Sequence, residues 1–319
     1  MPPVFRWDIT RPEQLGRLVE IEAPVTPACC VDPTPAFDVF VETVRRCCAR
    51  VIAAAGDSQL VFIGRSPESL FDYLSGAFAG TSWASRIAIL NVSFRNCDGN
   101  WSVLDQTARG AIADQFRPVG VDPLGIVSSR RPIALIDLIC NGDTFESLTR
   151  LLATWAAADG IDERAIWRRL RIVGITSYYA PYPVPSSWKQ LDWAARLRPR
   201  ARQGISVPGW FWRYIGDNQV KVSRSNPSWC WADPAMTRPP REPERGVALR
   251  AASALYQRAR TRAERDALIA AMAELPAVRH SWCRGLLAEL RSITRPKRVE
   301  RAFGSKWRVR SSSRGTMRS

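Results

Sequence analysis

Two short segments of the chain carry residue types that suit the binding of phosphate. The first is Gly64-Arg65-Ser66-Pro67, which follows an apolar run. A glycine permits a tight turn, an arginine offers two parallel N–H donors to an oxyanion, and a helix that begins behind the turn adds free backbone amides. We therefore expect Gly64, Arg65 and Ser66 to hold an anion.

The second segment, residues 137–144, has the sequence Asp-Leu-Ile-Cys-Asn-Gly-Asp-Thr. The carboxylate of Asp137 ends a predicted strand, Gly142 allows close approach of the backbone, and Thr144 stands at a predicted helix start. The backbone amides of such a loop can wrap around an anion. The candidate binding residues of this loop are Cys140, Asn141, Gly142, Asp143 and Thr144.

A third candidate region is rich in Trp, Tyr and Pro and extends from residue 177 to about residue 245. Within it, the segment 208–217 combines Trp212 with Asp217. Aromatic faces can stack on a ring or a sugar, and a carboxylate can bind a hydroxyl or an amine. The pattern predicts a hood over a small molecule, with Trp212 and Asp217 in contact with it. A second small core built from the same tryptophans is the alternative.

The scarcity of histidine argues against several kinds of catalysis. His280 is the single histidine, and the eight cysteines have no C-x-x-C spacing. Because a Ser-His-Asp or Cys-His mechanism would depend on His280 alone, such catalysis is a poor first hypothesis. Zinc sites usually need paired ligand spacings, and disulfide frameworks need an oxidising compartment. We expect reduced and mostly buried thiols.

Apolar runs alternate with helical periodicity over residues 35–180. Strands are predicted at 59–63, 86–92, 133–137 and 171–176, and helices at 37–55, 66–78, 104–116, 144–158 and 162–170, with Ser66 as a helix N-cap. This alternation predicts an α/β fold with a doubly wound parallel sheet, covered on both faces. Ligands of such sheets bind outside the carboxyl ends of the strands, which both candidate phosphate loops follow.

The composition divides the chain into four regions. We expect an irregular N-terminal segment (1–34), the α/β core (35–180), an aromatic-rich hood with a helical C-terminal region (181–292), and a basic tail (293–319) that is disordered.

The second loop carries a resemblance to a known family. Residues 133–144 comprise four apolar residues, an aspartate and a loop that ends Gly-x-Thr before a helix. They resemble the phosphoribosyl-diphosphate motif of type I phosphoribosyltransferases. Residues 60–67 look like the family's pyrophosphate-binding turn, which follows the first core strand. The resemblance covers roughly residues 35–180 and implies a phosphoribosyltransferase-like sheet.

Two positions depart from the pattern of that family. Ile136 replaces the first of two adjacent acids, so one carboxylate would hold the ribose hydroxyls. Asp143 replaces a small residue, and a carboxylate there would repel a phosphate by about 1–4 kcal/mol. We expect Asp143 to point away and to cap the helix together with Glu146. A differently placed phosphate or a loss of catalysis is the alternative.

The resemblance implies transfer of a phosphoribosyl group from phosphoribosyl diphosphate to a small-molecule acceptor, with release of pyrophosphate. It implies that Asp137 binds the ribose hydroxyls, directly or through Mg²⁺, the expected cofactor. The 140–144 loop would hold the 5′-phosphate, and Arg65 with the amides of Gly64 and Ser66 would hold pyrophosphate. Arg95 and Arg109 would lie on a mobile lid, with ordinary surface positions as the alternative.

The net charge of +16 leaves two other function classes open. Residues 291–319 carry ten basic side chains against one acid, and so supply nine of the sixteen charges. They predict a solvated tail or, alternatively, contact with RNA or DNA. The rival hypotheses are therefore a nucleic-acid-binding protein that acts through this tail and a non-catalytic, phosphoribosyltransferase-like ligand sensor.

The chain begins without the apolar core of a secretory signal, and it contains no run of about 18 apolar residues. We therefore expect a cytoplasmic protein that does not act on a membrane. A homodimer stays open as its assembly state.

Overall fold

The computed structural model describes residues 6–9, 36–94, 99–178, 187–223 and 243–294. The strands are β1 (Gln59–Ile63), β2 (Ile87–Leu90), β3 (Ile133–Leu138), β4 (Leu170–Ser177) and β5 (Arg202–Val207). The helices are α1 (Phe37–Ala55), α2 (Glu68–Phe78), α3 (Gln106–Phe116), α4 (Pro123–Ser128), α5 (Asp143–Ala158), α6 (Glu163–Arg169), α7 (Asp192–Ala195), α8 (Gly209–Arg213), α9 (Pro243–Arg260), α10 (Arg262–Ala273) and α11 (Ser281–Thr294).

The five strands form one parallel sheet in the order β2-β1-β3-β4-β5. This confirms the predicted α/β fold with a parallel sheet and gives it a Rossmann-like architecture. The four strands predicted from apolar runs are present. Such runs predict strands in a parallel sheet because strands that are covered on both faces are apolar at nearly every position.

Helices cover both faces of the sheet. Alternate residues of the strands point to opposite sides, so Leu60 and Phe62 face one core while Val61 and Ile63 face the other. The first core is completed by α1, α2 and α9–α11, and the second by α3–α6 and the segment around α7. The result is a three-layer α/β/α arrangement.

The sheet extends beyond the segment expected to contain it. β5 (Arg202–Val207) lies in the region assigned to the hood, yet it pairs with β4 along six positions. β5 has the sequence Arg-Gln-Gly-Ile-Ser-Val, in which four of the six residues are half-buried or exposed. It therefore lacks the continuous apolar run that predicted the other strands.

No helix in the described part of the chain is both long enough and apolar enough to cross a membrane. The basic segment beyond Thr294, the N-terminal segment 10–35 and Arg95 lie outside the described residues, so the predictions made for them are not tested by the fold.

Candidate functional site

The two candidate phosphate turns lie at neighbouring strand ends. β1 and β3 pair in parallel, with Phe62 opposite Ile136, so residues 64–67 and 137–144 leave the sheet at the same edge. The strand order also reverses between β1 and β3, because β2 lies beyond β1 and β4 lies beyond β3. Such a switch point opens a crevice where ligands bind in open α/β sheets.

Asp137 stands at the carboxyl end of β3 and is 6% exposed. Its Oδ1 accepts a hydrogen bond from the Leu138 amide at 2.7 Å. Burial raises the pKa of the Asp137 carboxyl well above its usual range, although the Leu138 amide and the Lys221 charge act in the opposite direction. In the free protein this carboxyl therefore keeps its proton to a higher pH than an exposed aspartate.

Ile136 explains why the strand carries one acid. Adjacent residues of a strand point to opposite faces, and Ile136 is fully buried in the core formed with α1 and α2. Among the described residues no group of three or more His, Cys, Asp or Glu side chains is arranged to hold a metal ion. Mg²⁺ bound to a phosphorylated substrate needs only one or two carboxylates, so Asp137 fits it as a single protein ligand.

The first turn differs in detail from the prediction. Gly64 has a φ of 70° and donates its amide to the carbonyl of Leu90 at 2.8 Å, which extends the pairing of β1 with β2. The expectation that this amide is free for a ligand is therefore wrong. The N-cap of α2 is Pro67, not Ser66, and the helix begins at Glu68. Arg65 is half-buried and donates to the Ser223 carbonyl at 3.5 Å.

The second loop leads directly into α5. Gly142, with a φ of 94°, is the N-cap, and Asp143 is the first helical residue. The predicted capping pair is wrong, because no side chain caps this end and Glu146 instead pairs with Arg150 at 3.3 Å. Asp143 is exposed, which agrees with the expectation that it points away from the loop interior.

The other loop residues differ in exposure. Cys140 and Asn141 are exposed, and the Cys140 thiol donates to Asn141 Oδ1 at 3.5 Å. Thr144 is half-buried in the first turn of α5, where backbone amides lack intrahelical partners. The start of this 16-residue helix thus keeps amides and a hydroxyl at the crevice.

Gly142 is covered by an aromatic side chain. A Cβ at this position would lie 3.2 Å from Cζ2 of Trp193 and 3.3 Å from Cδ1 of Leu191. The close contact that a Cβ at this position would disturb is therefore with Trp193 and Leu191. The Cβ side of Gly142 is thus closed to a ligand, and the approach of a ligand to its backbone stays a prediction.

Trp193 belongs to an aromatic stack behind the loop. Its ring lies 5.8 Å from that of Trp188 at an interplanar angle of 10°, and 6.0 Å from that of Phe145. In the described part of the chain, the indole N–H groups of Trp188 and Trp193 are buried and have no hydrogen-bond partner. An unpaired buried donor costs about 1–3 kcal/mol, so each of these groups reduces the stability of the fold.

A segment whose contacts were not predicted from the sequence crosses the first turn. We call residues 214–223 the strap. The carboxylate of Glu68 accepts the amides of Val222 and Ser223, both at 3.0 Å. Lys221 Nζ donates to the carbonyl of Ser66 at 3.2 Å. Burial lowers the pKa of Lys221 to about 8.

Of the two residues predicted to contact an acceptor, Trp212 lies just before the strap and Asp217 lies within it. Trp212 is half-buried and donates its indole N–H to the Ile175 carbonyl at 3.0 Å, which ties α8 to β4. Its polar edge therefore serves the fold, in line with the alternative of a small core. Asp217 is exposed on a π-helical turn, Tyr214–Asn218, within the strap.

Arg109 is held by its own neighbourhood. Its guanidinium donates to the carbonyls of Trp101 and Ser102 at 3.1 and 3.0 Å.

The four described cysteines are free thiols. Cys47, Cys48 and Cys283 are buried, and Cys140 is exposed. His280 is exposed, and its ring stacks on that of Trp282 with centroids 6.4 Å apart.

Comparison of the chain with protein-family models, with curated protein sequences and with solved structures gave no match.

Proposed function

We propose that the chain transfers a phosphoribosyl group from phosphoribosyl diphosphate to a small-molecule acceptor and releases pyrophosphate. The observation that carries the proposal is the parallel pairing of β1 with β3 at the point where the strand order reverses. It brings an arginine-bearing turn and an aspartate-ended loop to one crevice, the usual position of ligands in such sheets.

The two ends of the donor have separate partners in this proposal. The first-turn amides of α5 and the Thr144 hydroxyl bind the 5′-phosphate, aided by the positive end of the helix dipole. Arg65 binds the pyrophosphate from the neighbouring turn.

Asp137 binds the ribose hydroxyls between these anchors, and it is also the residue that would hold Mg²⁺. When bound, the metal supplies positive charge that stabilises the leaving pyrophosphate. Burial raises the pKa of Asp137. A cation bound beside the carboxyl would oppose this shift and favour the loss of its proton. The chain's own work is thus to position the donor and to exclude water, which fits a protein with one histidine.

A second candidate function is a ligand sensor that binds the same donor without turnover. Three observations favour it: the buried and singly placed Asp137, the engaged amide of Gly64, and the covered face of Gly142. Each reduces the number of groups that can contact a reacting sugar. The sensor and the enzyme differ in pyrophosphate release, not in donor binding.

The test is pyrophosphate release by the full chain with phosphoribosyl diphosphate, Mg²⁺ and a panel of nucleophilic acceptors. We expect Asp137→Asn to lower the rate by about 100-fold or more, because the carboxylate acts on the reacting sugar. Asp143→Asn is the matched control, since Asp143 is an exposed carboxylate in the same loop. Donor binding without pyrophosphate release would establish the sensor, and equal rates in both variants would remove Asp137 from the mechanism.

A further inference from the structure

A cavity of about 180 Å³ lies beside the crevice, among the first turns of α1 and α2, the strap and α9. Its described lining comes from these elements and not from the 137–144 loop. Phe37, which is 43% exposed, and the exposed Ala251 mark its open side. None of the residues proposed to contact the donor lines this cavity.

The walls of the cavity suit one aromatic ring. Phe40 and Tyr214 meet edge to face, with ring centroids 5.4 Å apart, and Ala252 and Leu255 of α9 complete the apolar lining. An engineered apolar cavity of about 150 Å³ binds benzene. The volume here accommodates a ring of that size with a small substituent.

The polar end of the cavity is formed by α2 and the strap. Glu68, whose carboxylate accepts two strap amides, lines it together with Asp72, whose carboxylate is paired with Arg6. Both negative charges are therefore already compensated by protein groups. An uncharged ligand suits this environment better than an ion, because a further charge would be desolvated without a free counter-charge.

Gln219 supplies a hydrogen-bond donor at the same end. Its Oε1 accepts from the Ser69 hydroxyl and from Lys221 Nζ, both at 2.9 Å, and this fixes the orientation of the amide. The two N–H groups of Nε2 must then point elsewhere, and no described residue accepts a hydrogen bond from them. Ser69 donates its only proton to Gln219 and so keeps lone pairs that can accept.

We propose that this cavity binds an uncharged, single-ring aromatic molecule that carries an amide-like edge. Its ring packs against Phe40, Tyr214 and Leu255. Its carbonyl accepts from Gln219 Nε2, and its N–H donates to the hydroxyl oxygen of Ser69 or to the carboxylate of Asp72. The proposal does not rest on phosphoribosyl transfer, because binding needs neither the donor nor Asp137.

The probe is benzamide, titrated into the full chain by calorimetry without phosphoribosyl diphosphate. Benzoate and acetophenone are the matched comparisons, since one adds a negative charge and the other lacks the N–H donors. We expect benzamide to bind at millimolar concentration or better, and both comparison probes to bind about tenfold or more weakly. Equal binding of benzamide and acetophenone would overturn the polar recognition, and no binding of benzamide would overturn the site.

Two substitutions locate the binding. Ala251→Leu narrows the open side of the cavity and, because Ala251 is exposed, leaves the fold intact. Ala254→Leu is its control, an exposed position on the same helix that does not line the cavity. Loss of benzamide binding in the first variant alone is the expected result. Unchanged binding in both variants would place the probe elsewhere and contradict the proposal.

Discussion

Lys221 and Ser66 are joined by a hydrogen bond of 3.2 Å from the buried ammonium to the backbone carbonyl. The same Nζ donates to Gln219 Oε1 at 2.9 Å and to the Ile215 carbonyl. One lysine therefore fastens the strap to the turn that follows β1, across 155 residues of sequence.

Substitution of Lys221 tests how strongly the strap holds the turn. In Lys221→Met the Ser66 and Ile215 carbonyls and Gln219 Oε1 each lose a charged donor, so we expect the free energy of unfolding to fall by about 3 kcal/mol. Lys189→Met is the control, because it makes the same change at a half-buried lysine whose ammonium lies over an aromatic ring. The Nζ of Lys189 is 5.8 Å from the centroid of the Trp188 ring. Urea unfolding of both variants measures the difference, and equal losses would contradict the role of Lys221.

The buried carboxyl of Asp72 predicts an unusual pH dependence. Burial raises the pKa of Asp72 to about 6, and Arg6 opposes this shift. Between about pH 4 and pH 6 the folded chain therefore holds more protons at Asp72 than the unfolded chain. The stability that this group contributes is present below about pH 4 and is lost as the pH rises through about 6.

The measurement is urea unfolding of the native chain and of Asp72→Asn from pH 4 to pH 7. The stability of the native chain relative to the variant should decline across this range. A relative stability that instead rises with pH would mean that attraction to Arg6 outweighs burial at this carboxyl.

Two glycines should respond to alanine with opposite signs. Gly142→Ala forces a Cβ into a residue with a φ of 94° and against Trp193, so we expect a loss of about 2 kcal/mol in stability. Gly110 lies exposed inside α3 with no atom near its added Cβ, so Gly110→Ala should gain about 0.5–1 kcal/mol. Thermal unfolding checks both, and a Gly142→Ala protein as stable as the native chain would contradict the described packing.

The strand ends were predictable because strands covered on both faces are continuous apolar runs. Residues 59–63 and 133–138 have this pattern, and Gly64 and Gly142 mark the turns after them. β5 escaped prediction because its sequence, Arg-Gln-Gly-Ile-Ser-Val, has no continuous apolar run. The residue type of Ser66 predicts an N-cap, but Pro67 occupies that position.

The strap could not be predicted from local sequence. Glu68 has the residue type and position of an acid that interacts with its own helix dipole. Its carboxylate also accepts hydrogen bonds from backbone amides more than 150 residues away, which the sequence does not indicate. Likewise, the sequence marks Gly142 as a special backbone position, yet it gives no sign that Trp193 covers it. Contacts of this kind depend on the arrangement of whole elements, and no spacing rule encodes them.

Donor binding tests the central claim most directly, because the claim is that the turns after β1 and β3 act on one ligand. Calorimetric titration with phosphoribosyl diphosphate and Mg²⁺ compares the native chain with Arg65→Gln, Thr144→Val and the double variant. We expect saturable binding to the native chain, about tenfold weaker binding for each single variant, and weaker binding still for the double variant. Absence of binding to the native chain, or one affinity shared by all four proteins, would contradict the account.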